Sequence, residues 1–94
     1  MTARDEALRL VREGHDLHYA GGADDPDLAL LDGDRLYAAG LEKLAESGDI
    51  EAIRALADLI SDCARAAAEE RPDATREAWR ATALRLNVTG FTAS

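Results

Sequence analysis

DPDLALLDGDRLYAAGLEKLAESG, residues 25–48, is the segment around which the rest of the chain is interpreted, because residue type specifies both of its ends. Asp25 can cap the first free N–H groups of a helix, and Pro26 suits the first helical position. Asp27 complements the positive end of the helix dipole, and Gly48 can adopt the left-handed conformation that ends a helix. The stretch therefore predicts a helix between Asp25 and Gly48.

One complete face of this second helix is apolar. Two of its positions are glycines, Gly33 and Gly40, and each costs about 1 kcal/mol of helix stability relative to alanine. Such a cost indicates that another backbone approaches closely at these positions. The rest of the face consists of Ala29, Leu30, Leu36, Tyr37, Leu41 and Leu44. We expect the third helix of the same chain to pack here, with a helix of another chain as the alternative.

The first helix is predicted to run from Thr2, which has the spacing to Asp5 of a capping box, to about Tyr19. Gly21 and Gly22 then break the helical pattern before the cap of the second helix. The apolar stripe of the first helix consists of Ala3, Ala7, Leu10, Val11, Gly14, Leu17 and His18. This stripe predicts a helix with one buried side.

Two more helices are predicted in the second half of the chain. Asp49 can cap a third helix of about residues 50–70, and the short connection predicts an antiparallel hairpin with the second helix. The apolar stripe of the third helix consists of Ile53, Leu56, Ala57, Ile60, Cys63, Ala64 and Ala67. A fourth helix is expected from Pro72 to about Leu86. Residues 87–94 lack periodicity and are expected to form a tail.

Together these elements predict one all-α domain over residues 1–94, an antiparallel bundle of three to four helices centred on a helical hairpin. A chain of 94 residues buries only about 60–65% of its unfolded surface. Apolar helix faces should therefore stay uncovered, and we expect a symmetric homodimer, with a larger protein partner also open. Trp79, the only tryptophan, is expected at a helix contact, and either Trp79 or the first helix should lie near the dimer interface.

The charge of the chain excludes one class of partner. Acidic residues number 19 against 11 basic ones, for a formal charge of −8, so phosphate backbones are repelled and no nucleic-acid partner is expected. No segment approaches the roughly 20 apolar residues that cross a bilayer, and charges occupy the place of a secretory apolar region near the N-terminus. We expect a cytoplasmic protein without membrane contact, in which the single cysteine, Cys63, is an inert buried thiol.

His15 and His18 lie one turn apart, shortly before a loop that contains Asp24 and Asp25, so a divalent metal is one interpretation of these four residues. The alternative is that His18 is a core or interface residue, while the aspartates serve as turn and cap residues. Because no third ligand has a diagnostic spacing, we expect no metal and no cofactor.

Catalytic motifs are missing from the sequence. There is no nucleophile elbow, no cysteine beside a convincing base, and no glycine-rich turn from a strand to a helix. We therefore expect no catalytic residues. The expected function is that of a small, acidic, non-catalytic helical association module that binds a second copy of itself.

LALLDGDRLYAAGLEKLAESGDIEAIRALADLI, residues 28–60, resembles a helix pair of the trans-polyprenyl diphosphate synthases. In that pair a Gly-Asp dipeptide, here Gly33-Asp34, is followed by a hydrophobic residue and small residues. The resemblance implies an all-α fold whose chemistry depends on two DDxxD motifs that hold magnesium ions against a diphosphate. Neither motif is intact in this chain. The resemblance thus implies, as an alternative function, a shortened ligand carrier or an enzyme subunit that needs a larger partner.

Overall fold

The computed structural model describes residues 2–88, and these form four helices and no strand. The helices are α1 (Ala3–Tyr19), α2 (Pro26–Glu46), α3 (Ile50–Ala68) and α4 (Pro72–Arg85). The prediction of an all-α helical fold is confirmed, and the helix ends agree with the predicted ones to within two residues. Of the predicted tail, residues 89–94 lie outside the described part of the chain. Within residues 2–88, no helix is long and apolar enough to cross a membrane.

Capping residues begin α1 and α2. Thr2 accepts a hydrogen bond from the Asp5 backbone N–H at 3.1 Å, and the Thr2 backbone N–H donates to the Asp5 carboxylate at 2.9 Å, which completes the capping box. Asp25 accepts from the Leu28 backbone N–H at 3.1 Å, and Pro26 follows at the first helical position. These local bonds satisfy donors that a helix start otherwise leaves unpaired.

Three helices end in the same way. Gly48, Glu70 and Asn87 follow α2, α3 and α4, and all three have positive φ, at 73°, 54° and 56°. At each end two backbone N–H groups turn back to carbonyl groups of the last helical turn, as in the Schellman motif. Glycine adopts this conformation freely and asparagine more readily than most residues, so the steric cost is largest at Glu70.

The chain divides into two compact units, Met1–Asp49 and Ile50–Ser94. In the first unit α1 packs antiparallel on α2, and the contact is close because each helix contributes glycine. A Cβ atom added to Gly40 would lie 2.9 Å from the Ala7 carbonyl oxygen, and one added to Gly14 would lie 2.7 Å from the Gly33 carbonyl oxygen. A Cβ atom on Gly33 would overlap the His18 ring. The two backbones therefore touch at positions where any side chain would be in the way.

The helix that packs against the glycine face differs from the expected one. The sequence favours α3 as the partner, and this prediction is wrong, since Gly33 and Gly40 meet α1. The packed helix pairs are α1 with α2 and α3 with α4. Small residues on α3 recur at the spacing of a face that can pack closely on another helix. Gly14 gives α1 the same property. Because glycine has no side chain, Gly14 lets the α1 backbone come nearer to α2 than an alanine of α3 would allow.

In the second unit the buried side of α3 is rotated from the predicted one. Leu56 and Cys63 are buried as expected, whereas Ala57, Ala64 and Ala67 are exposed. The other buried positions are Ala52, Ala55, Leu59 and Ala66. Alanine occurs on several sides of α3, so the hydrophobic pattern alone does not select one of them. On α4, Trp79 is buried with Thr82 and Ala83.

We expect Gly40→Leu to destabilise the protein by about 1–3 kcal/mol or more, because its side chain must displace the α1 backbone at Ala7 or the Val11 side chain. Chemical denaturation followed by circular dichroism measures this change. Ala38→Leu is the matched control, since Ala38 is exposed on the same helix and should tolerate leucine within about 0.5 kcal/mol. Equal stability of the two variants would show that the glycine face is not a close helix contact.

Candidate association surface

His18 joins the end of α1 to the start of α2. Its Nε2 atom lies 3.0 Å from an Asp34 carboxylate oxygen and 3.2 Å from the Leu30 carbonyl oxygen. The imidazole ring also stacks at a tilt on Tyr37, with 4.9 Å between the ring centroids. Its side chain is 16% exposed. His18 is thus a largely buried interface residue between two helices, which is the alternative to the metal interpretation.

His15 lies one turn earlier, and its ring centroid is 4.7 Å from that of Tyr19. Burial lowers the pKa of His15 below its ordinary value of 6.5, and the positive charge of Arg12 acts in the same direction. The neighbouring Asp16 carboxylate raises it, but by less than these effects combined. The neutral imidazole is therefore favoured in the folded state.

The four metal candidates do not come together as a ligand set. His18 is directed at Asp34, and Asp25 caps α2 through the Leu28 N–H. Asp24 lies exposed in the linker. Throughout residues 2–88, no group of three or more histidine, cysteine or acidic side chains is placed to hold a metal ion.

The residues expected at helix contacts are mainly interior. Gly33, Tyr37, Gly40 and Leu44 are buried, and Leu36 is half-buried. Trp79 is only 1% exposed, so it offers almost no surface to another chain. If another protein binds, the described residues that it can contact must be sought elsewhere.

Exposed apolar side chains concentrate at the end of the α1–α2 hairpin that contains the linker. We call residues 17–31 the hairpin tip. Its large apolar side chains that are 41–50% exposed are Leu17, Tyr19, Leu28, Leu30 and Leu31. The sequence places Leu17 and Leu30 on buried stripes, and for these two positions that placement is wrong. A unit of two helices covers only the side of each helix that faces the other, so the margins of a broad apolar face stay in water.

A groove lies within the hairpin tip. Its walls are Leu17 and His18 from α1 and Pro26, Ala29 and Leu30 from α2, and linker residues 21–23 close its end. The volume of the groove is about 230 Å³. Sites for small molecules usually measure about 300–1,000 Å³, so this tip groove has room for apolar side chains and not for a whole drug-sized ligand.

The charge around the hairpin tip has one sign. From residue 13 to residue 34 the chain contains no lysine and no arginine. The acidic residues of the same segment are Glu13, Asp16, Asp24, Asp25, Asp27, Asp32 and Asp34. Arg12 and Arg35 flank the segment and pair with Asp16 and Asp32 at 3.3 and 3.1 Å. The segment that lines the apolar groove thus contains carboxylates and neither lysine nor arginine.

A larger groove lies along α3 and α4, with a volume of about 770 Å³. Its charged residues are Asp62, Arg65, Glu69, Arg71, Asp73, Arg76, Glu77 and Arg80, and its other walls are alanines. Three of the arginines pair with an acidic residue of the same groove, at 3.2–3.8 Å. The opposite charges balance in number, so this groove attracts neither an anion nor a cation strongly.

No family model, curated protein or solved structure matches this chain. The resemblance of residues 28–60 to the trans-polyprenyl diphosphate synthases therefore stays a prediction. In the structure, Gly33 of the Gly-Asp dipeptide contacts α1, and the Asp34 carboxylate is paired with His18.

One signal for the hairpin tip is present in the sequence. At about 100° per residue, Leu28 and Leu31 lie about 60° apart around a helix, whereas Leu30 lies about 160° from Leu28, so one helix neighbour cannot cover all three. These leucines lie in the segment that contains no lysine and no arginine, so both patterns indicate the same region. The average composition and the net charge of the whole chain do not show this local excess of acidic residues.

The lowered pKa of His15 predicts a pH dependence of stability. Below about pH 6.5 the unfolded chain takes up a proton at this residue more readily than the folded chain, so the free energy of unfolding should fall from about pH 7.5 to 5.5. His15→Phe keeps a ring beside Tyr19 but cannot titrate, and its denaturation curves should depend less on pH over this range. A variant with the same slope as the natural sequence would contradict the prediction.

Proposed function

We propose that this chain is a non-catalytic helical association module, and that the hairpin tip is its contact surface. The observation that supports this proposal is the concentration of half-exposed leucines at residues 17–31 beside a groove of side-chain size. Apolar side chains in water favour burial by about 25 cal/mol per Å², and covering several of them is a common driving force for association.

The charged side chains of the described region favour a binding protein over an enzyme. Arg4 donates two hydrogen bonds to Asp49, at 2.6 and 3.0 Å, and Lys43 pairs with Glu6 at 3.3 Å. These pairs connect the open end of the α1–α2 hairpin, where they have a structural use. The paired arginines of the α3–α4 groove likewise have partners within their own unit.

The sequence predicts association with a second copy of the chain, and on this basis we propose a homodimer, which forms through the tip when no other protein occupies the groove. Two copies that meet at their tips bring two acidic segments together, so screening by salt should favour the dimer. We also propose that the protein is cytoplasmic, because a chain with a single cysteine, Cys63, has no internal disulfide that needs an oxidising compartment.

Light scattering at micromolar concentration tests the homodimer. We expect a dimer whose fraction rises with salt, because added ions screen the repulsion between carboxylates. Leu17→Gln/Leu30→Gln should weaken the dimer, since both side chains line the tip groove. Leu84→Gln, at an exposed position of α4, is the matched control and should leave it unchanged. Monomer at every salt concentration would refute the homodimer.

The alternative function, a shortened carrier or subunit related to prenyl synthases, is tested with magnesium and a prenyl diphosphate. A ligand present at 100 times its Kd stabilises a folded protein by about 2.7 kcal/mol, which a thermal melt detects. As a non-catalytic association module, the protein should show no such shift. Magnesium with inorganic diphosphate is the control for the head group alone, and a shift that needs the prenyl chain would support the alternative.

A further inference from the structure

We propose that the natural occupant of the tip groove is a basic amphipathic segment of another protein, with apolar side chains that enter the groove and lysine or arginine residues around them. This inference rests on the proposed function, because it takes the hairpin tip as the contact surface. It goes further by naming the chemistry of the partner. Two independent observations carry it, the apolar lining of the groove and the single sign of the charge around it.

The lining of the groove determines what enters it. Leu17 lines the groove from α1 and Leu30 lines it from α2, and they are 41% and 47% exposed. A space of about 230 Å³ accepts one or two apolar side chains. Amphipathic helices commonly bind in this manner, by placing a few side chains of one face into an apolar groove. The groove therefore favours a protein segment over a free small molecule.

The carboxylates determine what surrounds those side chains. Asp24 follows Ala23 and Asp27 follows Pro26, two residues that line the groove, and both aspartates are exposed. Within residues 2–88 neither of them makes an ion pair with a lysine or an arginine. The nearest cations in sequence, Arg12 and Arg35, are already paired with Asp16 and Asp32. Lysine or arginine on a partner would supply positive charge opposite the carboxylates of Asp24 and Asp27.

A second copy of this chain fits the same surface less well. It presents the same acidic segment, and like charges across an interface oppose binding when salt is low. A basic segment gains from the same charges under those conditions. The two kinds of binding therefore depend on salt in opposite directions. Binding of a basic segment weakens as the salt concentration rises, whereas self-association through the tip becomes stronger.

Fluorescence anisotropy with the full chain tests the proposal. The probe is a labelled synthetic helix of about 18 residues, five turns, with leucine on one face and lysine on the other. Its two controls are a peptide of the same composition in scrambled order and a helix with glutamate in place of lysine. We expect binding of the first peptide only, weakened by added salt.

Two pairs of variants locate the binding. Leu17→Gln/Leu30→Gln should weaken it by about 10-fold or more, because a leucine contact is lost on each wall, while Leu84→Gln should not change it. Asp24→Asn/Asp27→Asn should weaken it about 5-fold at low salt, while Glu42→Gln/Glu46→Gln removes the same charge from α2 away from the tip and should have a smaller effect. Circular dichroism confirms that each variant is folded.

The outcomes separate this inference from the proposed function. Equal binding of the ordered and scrambled basic peptides, or equal effects of the tip variants and their controls, would overturn the inference. Absence of peptide binding together with a dimer that the Leu17→Gln/Leu30→Gln change disrupts would also overturn it, but would leave association through the tip intact. If those two substitutions alter neither peptide binding nor self-association, both the inference and the proposed function fail.

Discussion

Backbone contact between α1 and α2 is the constraint on which the first unit depends. Gly14, Gly33 and Gly40 allow the two helices to approach until a carbonyl oxygen of one lies 2.7–2.9 Å from where a Cβ atom of the other would be. At this separation His18 reaches both Asp34 and the Leu30 carbonyl oxygen, and its ring lies over Tyr37. The same closeness limits how much leucine the pair can cover, so apolar side chains at the margins of the contact stay in water. The exposed apolar side chains and the tight helix contact therefore have one cause.

Charge is distributed unequally along this hairpin. At its open end Arg4 and Lys43 neutralise Asp49 and Glu6. Toward the tip the basic residues stop at Arg12 and resume at Arg35, so the excess of carboxylates is greatest where the apolar side chains are exposed. In the complex that we propose, burial of the apolar side chains drives association whatever the charge of the partner, and the carboxylates discriminate among partners.

The local features of the fold were predictable, whereas the choice of helix neighbour was not. Asp25, Pro26 and the capping box at Thr2 act within a few residues, so their effect can be recognised without knowledge of packing. The partner of Gly40 depends on which of two small-residue faces comes closer, and sequence spacing does not measure that distance. Alanine caused the error on α3, because a residue that fits both core and surface leaves the buried side undefined. The exposure of Leu17 and Leu30 depends on how many helices pack around their own helix. The hydrophobic periodicity of the sequence shows which side is apolar but not how many neighbours cover it.

The linker at Gly21 and Gly22 gives the hairpin two ends of different rigidity. Ion pairs and the Schellman turn at Gly48 hold the open end, whereas at the tip no atom of the described residues other than their chain neighbours lies within 4 Å of where a Cβ atom of Gly21 or Gly22 would be. Local fluctuations should therefore begin at the tip, and backbone amides there should exchange with solvent through small openings that leave the Gly14–Gly33 contact intact. A groove that opens and closes by such local fluctuations can admit side chains of different sizes. Its selectivity among binding partners would then depend more on their charge than on their shape.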